Sequence, residues 1–213
     1  SGKRNNRGTP QGGIISPMLS NIYLNQLDKE FYRRDGILYR CGARLVRYAD
    51  DMVVLARYIG HPTENAMRSY LKELGLTLNE EKTHIVKARE SSFDFLGYTF
   101  RYDRHLDGRE GKYLNIFPSK KSQKRLRENI RKVLVPGNKK GKQELTRELN
   151  QKLVGWRNYF STPGTYPRKA YRDMNWYLCK RLDQFYRRKS QRRSKLYGPR
   201  AYNQLVKSGL IVL

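Results

Sequence analysis

Two aspartates, Asp50 and Asp51, stand side by side in VRYADDMVVLA (residues 46–56), between two runs of strand-forming residues. Adjacent like charges at such a place have two readings. Most Asp-Asp pairs belong to solvated hairpin turns. Two carboxylates at a hairpin tip also suit Mg²⁺, a hard cation that prefers oxygen ligands. A pair of such ions roughly 3.5–4 Å apart stabilises both the attacking and the leaving oxygen in phosphoryl transfer. Side chains alternate along a strand, so neighbouring carboxylates point apart unless a turn brings them to one site. The chemistry also asks for a further carboxylate from another strand. Asp28 and Asp35, the nearest candidates, lie on or after a helix and are expected to face elsewhere.

The elements that position this pair follow from the local pattern. Leu45–Tyr48 and Met52–Ala56 form a tight hairpin. Ahead of it, Ser16-Pro17 reads as an N-cap followed by proline at the first helical position. That helix runs to about Tyr32 with Leu24, Leu27 and Phe31 on one face. A helix over 62–74 ends at Gly75, LTLNEEKTHIVKA gives two short strands around a turn, and FDFLGYTFRYD and GKYLNIFPS give two more strands. Helices among mostly antiparallel strands make an α+β sheet domain. The remainder is helical. Leu126, Ile130 and Val133 mark one stripe, Leu145, Leu149, Leu153, Trp156 and Phe160 a second, and Tyr171, Met174, Leu178, Leu182 and Phe185 a third. Three such helices make an all-α bundle. Trp156 and Phe160 are expected in its core; Trp176 and Tyr177 are core or stacking residues.

Charge separates the two halves. The 213 residues carry a net charge of +26, with net +4 in residues 1–103 and net +22 in residues 104–213. Hydrophobic residues make up 38%, too many for a disordered polycation. Such a charge calls for a polyanion: nucleic acid first, an anionic membrane surface second. Lys120, Lys121, Lys124, Arg127 and Arg131, with Arg187, Arg188, Arg192 and Arg193, are the candidate RNA-binding residues. The chain has no apolar run of membrane-spanning length and no signal-peptide core near its start. Two cysteines are too few for a disulfide framework, so a reducing compartment is expected, and three histidines do not pair with them at zinc spacing.

RGTPQGGIISPMLSNIYL, RLVRYADDMVVLAR, LGLTLNEEKTHIV and FLGYTF, in that order, resemble the reverse transcriptase palm, and LNQKLVGWRNYF is similar to the maturase, or X, region that forms the thumb. The match is nearest to group II intron-encoded reverse transcriptase/maturases and covers almost the whole chain. It implies a partial palm over 1–117, a three-helix thumb over 118–189 and a basic tail over 190–213. It implies that Asp50 and Asp51 are ligands of catalytic Mg²⁺, with Tyr48 beside the primer end and Tyr48 and Ala49 among the nucleotide- and template-binding residues. Pro10, Gln11 and Gly12 would line the nucleotide and template pocket. Lys82 would neutralise the incoming triphosphate or give a proton to pyrophosphate, and Leu96, Gly97 and Tyr98 would form the primer grip.

The implied activity is RNA-directed DNA synthesis together with intron splicing, in the cytoplasm of a bacterium or within an organelle. The implied partners are intron or template RNA, an RNA/DNA template-primer and deoxynucleoside triphosphates. A first palm motif with another aspartate is expected upstream of Ser1, with the fingers, so this chain alone is expected to be inactive. The alternatives are a non-catalytic RNA-binding splicing cofactor, or a reverse transcriptase of a defence or diversity-generating system.

Overall fold

The computed structural model describes residues 14–104, 110–188 and 199–213. The chain divides into two compact units, residues 1–85 and 86–213.

In the first unit, α1 (Ser16–Tyr32) and the short α2 (Ile37–Arg40) precede β1 (Arg44–Tyr48), β2 (Asp51–Leu55) and α3 (His61–Glu73). Strands β1 and β2 form an antiparallel ribbon in which Tyr48 pairs with Asp51 and Arg47 with Met52. Alternation puts Leu45, Met52 and Val54 on the face that packs against Leu27, Phe31, Leu38 and Leu71. The expected stripe of α1 is buried at Leu24, Leu27 and Phe31. Ser16 is the first helical residue rather than the cap, with proline next in the first turn.

The two strands expected in LTLNEEKTHIVKA do not form. Leu76 and Leu78 pack on the core as loop residues. Asn79 then turns the chain, its carbonyl accepting from the N–H of Lys82 at 3.0 Å and of Thr83 at 2.9 Å. The apolar residues of the first half of the segment are satisfied by packing on the core, whereas Ile85 and Val86 of the second half stay exposed.

The second unit opens with β3 (Phe93–Phe95), β4 (Tyr98–Arg104) and β5 (Lys112–Pro118), an antiparallel sheet in that order. Four helices follow: α4 (Lys120–Val133), α5 (Lys142–Phe160), α6 (Arg168–Arg188) and α7 (Pro199–Lys207). The side chain of Ser119 caps α4 by accepting from the N–H of Ser122 at 3.1 Å. Asn138 closes the far end by donating to the Val133 carbonyl at 2.8 Å. The three predicted stripes meet in one core, with Leu145, Leu149, Leu153, Met174 and Leu182 fully enclosed.

The expected basic tail contributes to this core from Ala201 onward. Ala201, Leu205 and Leu210 are buried in it. Two asparagines clamp the last residues by pairing with backbone like a strand edge. Asn150 donates to the Gly209 carbonyl at 2.8 Å and accepts from the Ile211 N–H at 2.9 Å. Asn175 does the same with both backbone groups of Leu213, at 2.9 and 3.1 Å. No described helix is long and apolar enough to cross a membrane.

Candidate functional site

The turn carrying the aspartates is two residues long, Ala49 and Asp50, and Ala49 has φ +54°. A positive φ at the first turn position matches the right-handed twist of a hairpin, and glycine or asparagine normally supplies it. Alanine there costs about 1–2 kcal/mol. Something must hold the turn, and Arg47 does so. It leaves the core-facing side of β1 and donates to the Ala49 carbonyl at 3.0 Å. The same guanidinium binds both oxygens of Asp28 on α1, at 2.8 Å from Nε to one of them, and Asn21 at 2.9 Å. Arg47 is 12% exposed and Asp28 26%, so this ion pair is well shielded from solvent. The hydrogen bond with Asp28 raises the Arg47 pKa further, outweighing the lowering effect of burial.

Asp28 therefore faces the hairpin after all, but both its oxygens serve Arg47. Asp35 is occupied with Arg33 at 3.5 Å. Neither supplies the further carboxylate that the chemistry asks for. Asp50 at the tip and Asp51 at the start of β2 are both exposed, and Asp51 shares the outward ribbon face with Tyr48. Their oxygens have the hardness Mg²⁺ requires. Among the described residues, no group of three or more acidic, histidine or cysteine side chains converges on a metal position. The pair fits part of a metal site.

Lys82 is exposed in the Asn79 turn. That turn is tied to α3 by Arg68, which binds Glu64 at 2.8 Å and also Glu80. The hydrogen bond with Arg68 holds the Glu80 carboxyl below its ordinary value. Pro10, Gln11 and Gly12 lie outside the described residues, as do Arg192 and Arg193.

Leu96 and Gly97 form the second tight turn, joining β3 to β4, with φ +48° and +79°. This turn is held by the thumb-like motif. Tyr159 donates to the Leu96 carbonyl at 2.7 Å, and the Ser119 N–H donates to the Gly97 carbonyl at 2.8 Å. The Tyr98 hydroxyl donates to the Tyr159 carbonyl. Its ring packs against Tyr159 and Phe160, with centroids 5.5 and 4.8 Å away. Trp156 completes the cluster, 4.8 Å from Phe160, and donates its indole N–H to Ser122 at 3.0 Å. LGY and GWRNYF are thus two sides of one aromatic joint: Phe160 is buried against the turn rather than in the bundle core, and Trp156 spans both.

The α4 cations divide into two groups. Lys120, Lys121, Lys124, Arg125, Arg131 and Lys132 are exposed and Arg127 is half-buried. Arg127 and Arg131 are engaged with Tyr177 of α6. The Arg127 guanidinium lies 5.4 Å from the ring centroid, and Arg131 Nε donates to the hydroxyl at 3.0 Å. Arg187 is paired with Asp183 at 2.9 Å, while Arg188 is exposed.

Sequence reasoning missed Arg47 and Asn21, and it expected Asp28 to face away from the hairpin. The available signal was an arginine at a strand position whose alternate neighbours, Leu45 and, across the ribbon, Met52, face the core.

Comparison with known proteins agrees with this order of elements. The family described as reverse transcriptase (RNA-dependent DNA polymerase) matches residues 1–100. The group II intron, maturase-specific domain matches residues 123–201. The chain is 28% identical over 146 residues to Protein YkfC of Escherichia coli (strain K12), covering 54% of this chain and 38% of that protein. It is 29% identical over 142 residues to the Putative COX1/OXI3 intron 1 protein of Saccharomyces cerevisiae, 43% of this chain and 17% of that protein. Over 22 residues it is 77% identical to the Group II intron-encoded protein LtrA of Lactococcus lactis subsp. cremoris, 10% of this chain and 4% of that protein. The chain spans well under half the length of these relatives. The aspartate hairpin lies within the stretch that matches the reverse transcriptase family, and most of the helical bundle lies within the stretch that matches the maturase-specific domain. The chain carries a reverse transcriptase domain followed by a group II intron maturase-specific domain.

Proposed function

We propose that this chain carries palm catalytic residues and the thumb of an RNA-directed DNA polymerase that also assists the splicing of a group II intron. The observation that carries the reading is the Ala49 turn. A conformation costly for alanine is held by Arg47, and it presents two adjacent carboxylates at an exposed tip. Backbone strain sustained by its surroundings is concentrated at functional sites, whereas a solvated turn has no use for it.

In this reading Asp50 and Asp51 hold Mg²⁺, which, when bound, stabilises charge on the attacking and leaving oxygens. Arg47 keeps the tip in register from behind, and Tyr48 lines the primer end on the same face as Asp51. Lys82 offsets triphosphate charge from a turn anchored by Arg68. The LGY turn, locked to α5, supports the primer strand. The exposed α4 cations neutralise RNA phosphates, and RNA is read mainly through shape, phosphate and 2′-hydroxyl contacts. A non-catalytic splicing cofactor is the second reading, favoured by the absence of a third converging carboxylate among the described residues.

One variant separates the two. In the polymerase that carries this chain, Asp50→Asn is expected to abolish deoxynucleotide incorporation while RNA affinity stays within about twofold, since the exposed pair is remote from any phosphate-binding cation of α4 in sequence and role. A paramagnetic Mn²⁺ titration of the chain followed by NMR supplies a readout independent of activity. Broadening should begin at residues 49–51 and be lost in Asp50→Asn. Unchanged incorporation in the variant would remove Asp50 from catalysis and leave the cofactor reading.

A further inference from the structure

We propose that the outward face of α6 is a platform for an unpaired RNA base, which stacks on the indole of Trp176 while Lys169, Arg172 and Lys180 engage the flanking phosphates. This rests on the RNA-binding reading above and names what the helical region would recognise.

The inward side of α6 is set by Ala170, Met174, Leu178, Leu182 and Phe185, all buried. At 100° per residue, Trp176 falls about 180° round the helix from the centre of that stripe. It is accordingly 63% exposed. The chain's other tryptophan, Trp156, is packed against the core. The Lys180 ammonium sits 3.6 Å from the Trp176 ring centroid, so one ring face is already cationic. Arg172 and Lys169 lie on the same stripe, roughly one and two turns before the indole respectively, and are exposed. The acidic groups of this face are accounted for. Asp173 is 4.0 Å from Arg172, which stays 78% exposed, whereas Arg187 is held by Asp183 at 2.9 Å and is left out of the phosphate set.

A single exposed aromatic is ordinary on a protein surface. Its surroundings decide what it suits. A protein partner's interface core is depleted of charge, whereas here Arg172, Asp173 and Lys180 surround the ring. A membrane-surface helix needs several apolar residues on one face, whereas Trp176 is alone on this one. An aromatic ring flanked by cations is the arrangement that binds single-stranded nucleic acid, with the ring under a base and the cations at the backbone. Bases within duplex RNA are stacked on each other, so the platform selects unpaired segments.

The test uses the whole chain, a short oligoadenylate and an RNA duplex. Oligoadenylate should quench tryptophan emission, and the quench should vanish in Trp176→Ala. That variant should bind oligoadenylate roughly 5- to 150-fold more weakly, the range that stacking of one base supplies. Its salt slope should be unchanged, because no charge is removed. Duplex affinity should stay within about twofold. Trp176→Phe should recover part of the loss, and Lys180→Gln should flatten the salt slope by about one unit. Equal loss for oligoadenylate and duplex would overturn the platform, and so would no loss for either. Binding of Trp176-dependent strength to anionic vesicles but not to oligoadenylate would assign the face to a lipid surface instead. Failure of the unaltered chain to bind any RNA would sink both this proposal and the RNA-binding reading, whereas RNA binding indifferent to Trp176 would sink this one alone.

Discussion

At the scale of single residues, Arg47 connects more of the candidate site than either aspartate. Its guanidinium joins α1 to the tip of the β1–β2 ribbon through Asp28, Asn21 and the Ala49 carbonyl. Replacing it with methionine keeps the stem but leaves a shielded Asp28 without its countercharge and the turn without its brace. Loss of a charged hydrogen-bond partner at such a site costs about 1–3 kcal/mol. Urea unfolding of Arg47→Met should show that loss. Nuclear magnetic resonance should show shifts at Ala49 and Asp50 larger than those elsewhere in the ribbon. A variant as stable as the parent, with an unmoved turn, would mean that the strands alone fix the tip.

At the scale of elements, α4 shows why counting cations overstates a binding face. Lys124, Arg127 and Arg131 recur along the helix at the right spacing for one surface. The structure gives Arg127 and Arg131 to Tyr177, so part of that row is helix-to-helix packing. The phosphate-facing set is better drawn from Lys121, Lys124 and Arg125, all exposed. Changing these three to glutamine should flatten the salt dependence of RNA binding by about two to three units, with slopes near −0.7 to −0.9 per phosphate. The melting temperature should hold, because Leu126, Ile130 and Val133 keep the buried side. Arg127→Gln should do the reverse, lowering stability by up to about 1 kcal/mol with little effect on the slope. If the triple variant leaves the slope unchanged, α4 is not part of the RNA surface.

At the scale of the whole molecule, the first unit carries an apolar stripe that its own core does not cover. Ile15, Met18, Leu19 and Ile22 are exposed on α1, opposite the buried Leu24, Leu27 and Phe31. A helix apolar on both sides is normally enclosed. The chain is therefore expected to bind a hydrophobic dye such as ANS in its native state. Replacing Ile15, Met18 and Ile22 with glutamine should reduce that binding several-fold without changing the helical signal in circular dichroism. Equal dye binding by parent and variant would show that this stripe is covered in solution.

The sequence by itself determined α4, α5 and α6, the β1–β2 hairpin and the order of motifs along the chain, but it read FDFLGYTFRYD as one strand where the structure turns at Leu96 and Gly97, and it did not foresee α7. Helical stripes and tight turns are local patterns, legible from spacings of a few residues. Tertiary structure decided whatever depends on a distant partner. Leu76 and Leu78 read as strand but found a core without a ladder. The segment after Pro199 read as a basic tail. It docks because Asn150 and Asn175, 61 and 38 residues from the backbone N–H groups they bind, complete its hydrogen bonds. Asp28 was visible as a carboxylate, yet its role belongs to Arg47, 19 residues on. Trp176 lay between core and surface readings until the packing of α6 fixed which way the helix was turned. A side chain's neighbours along the chain set its conformation, but its partners across space set its chemistry, and only burial and contact decide those.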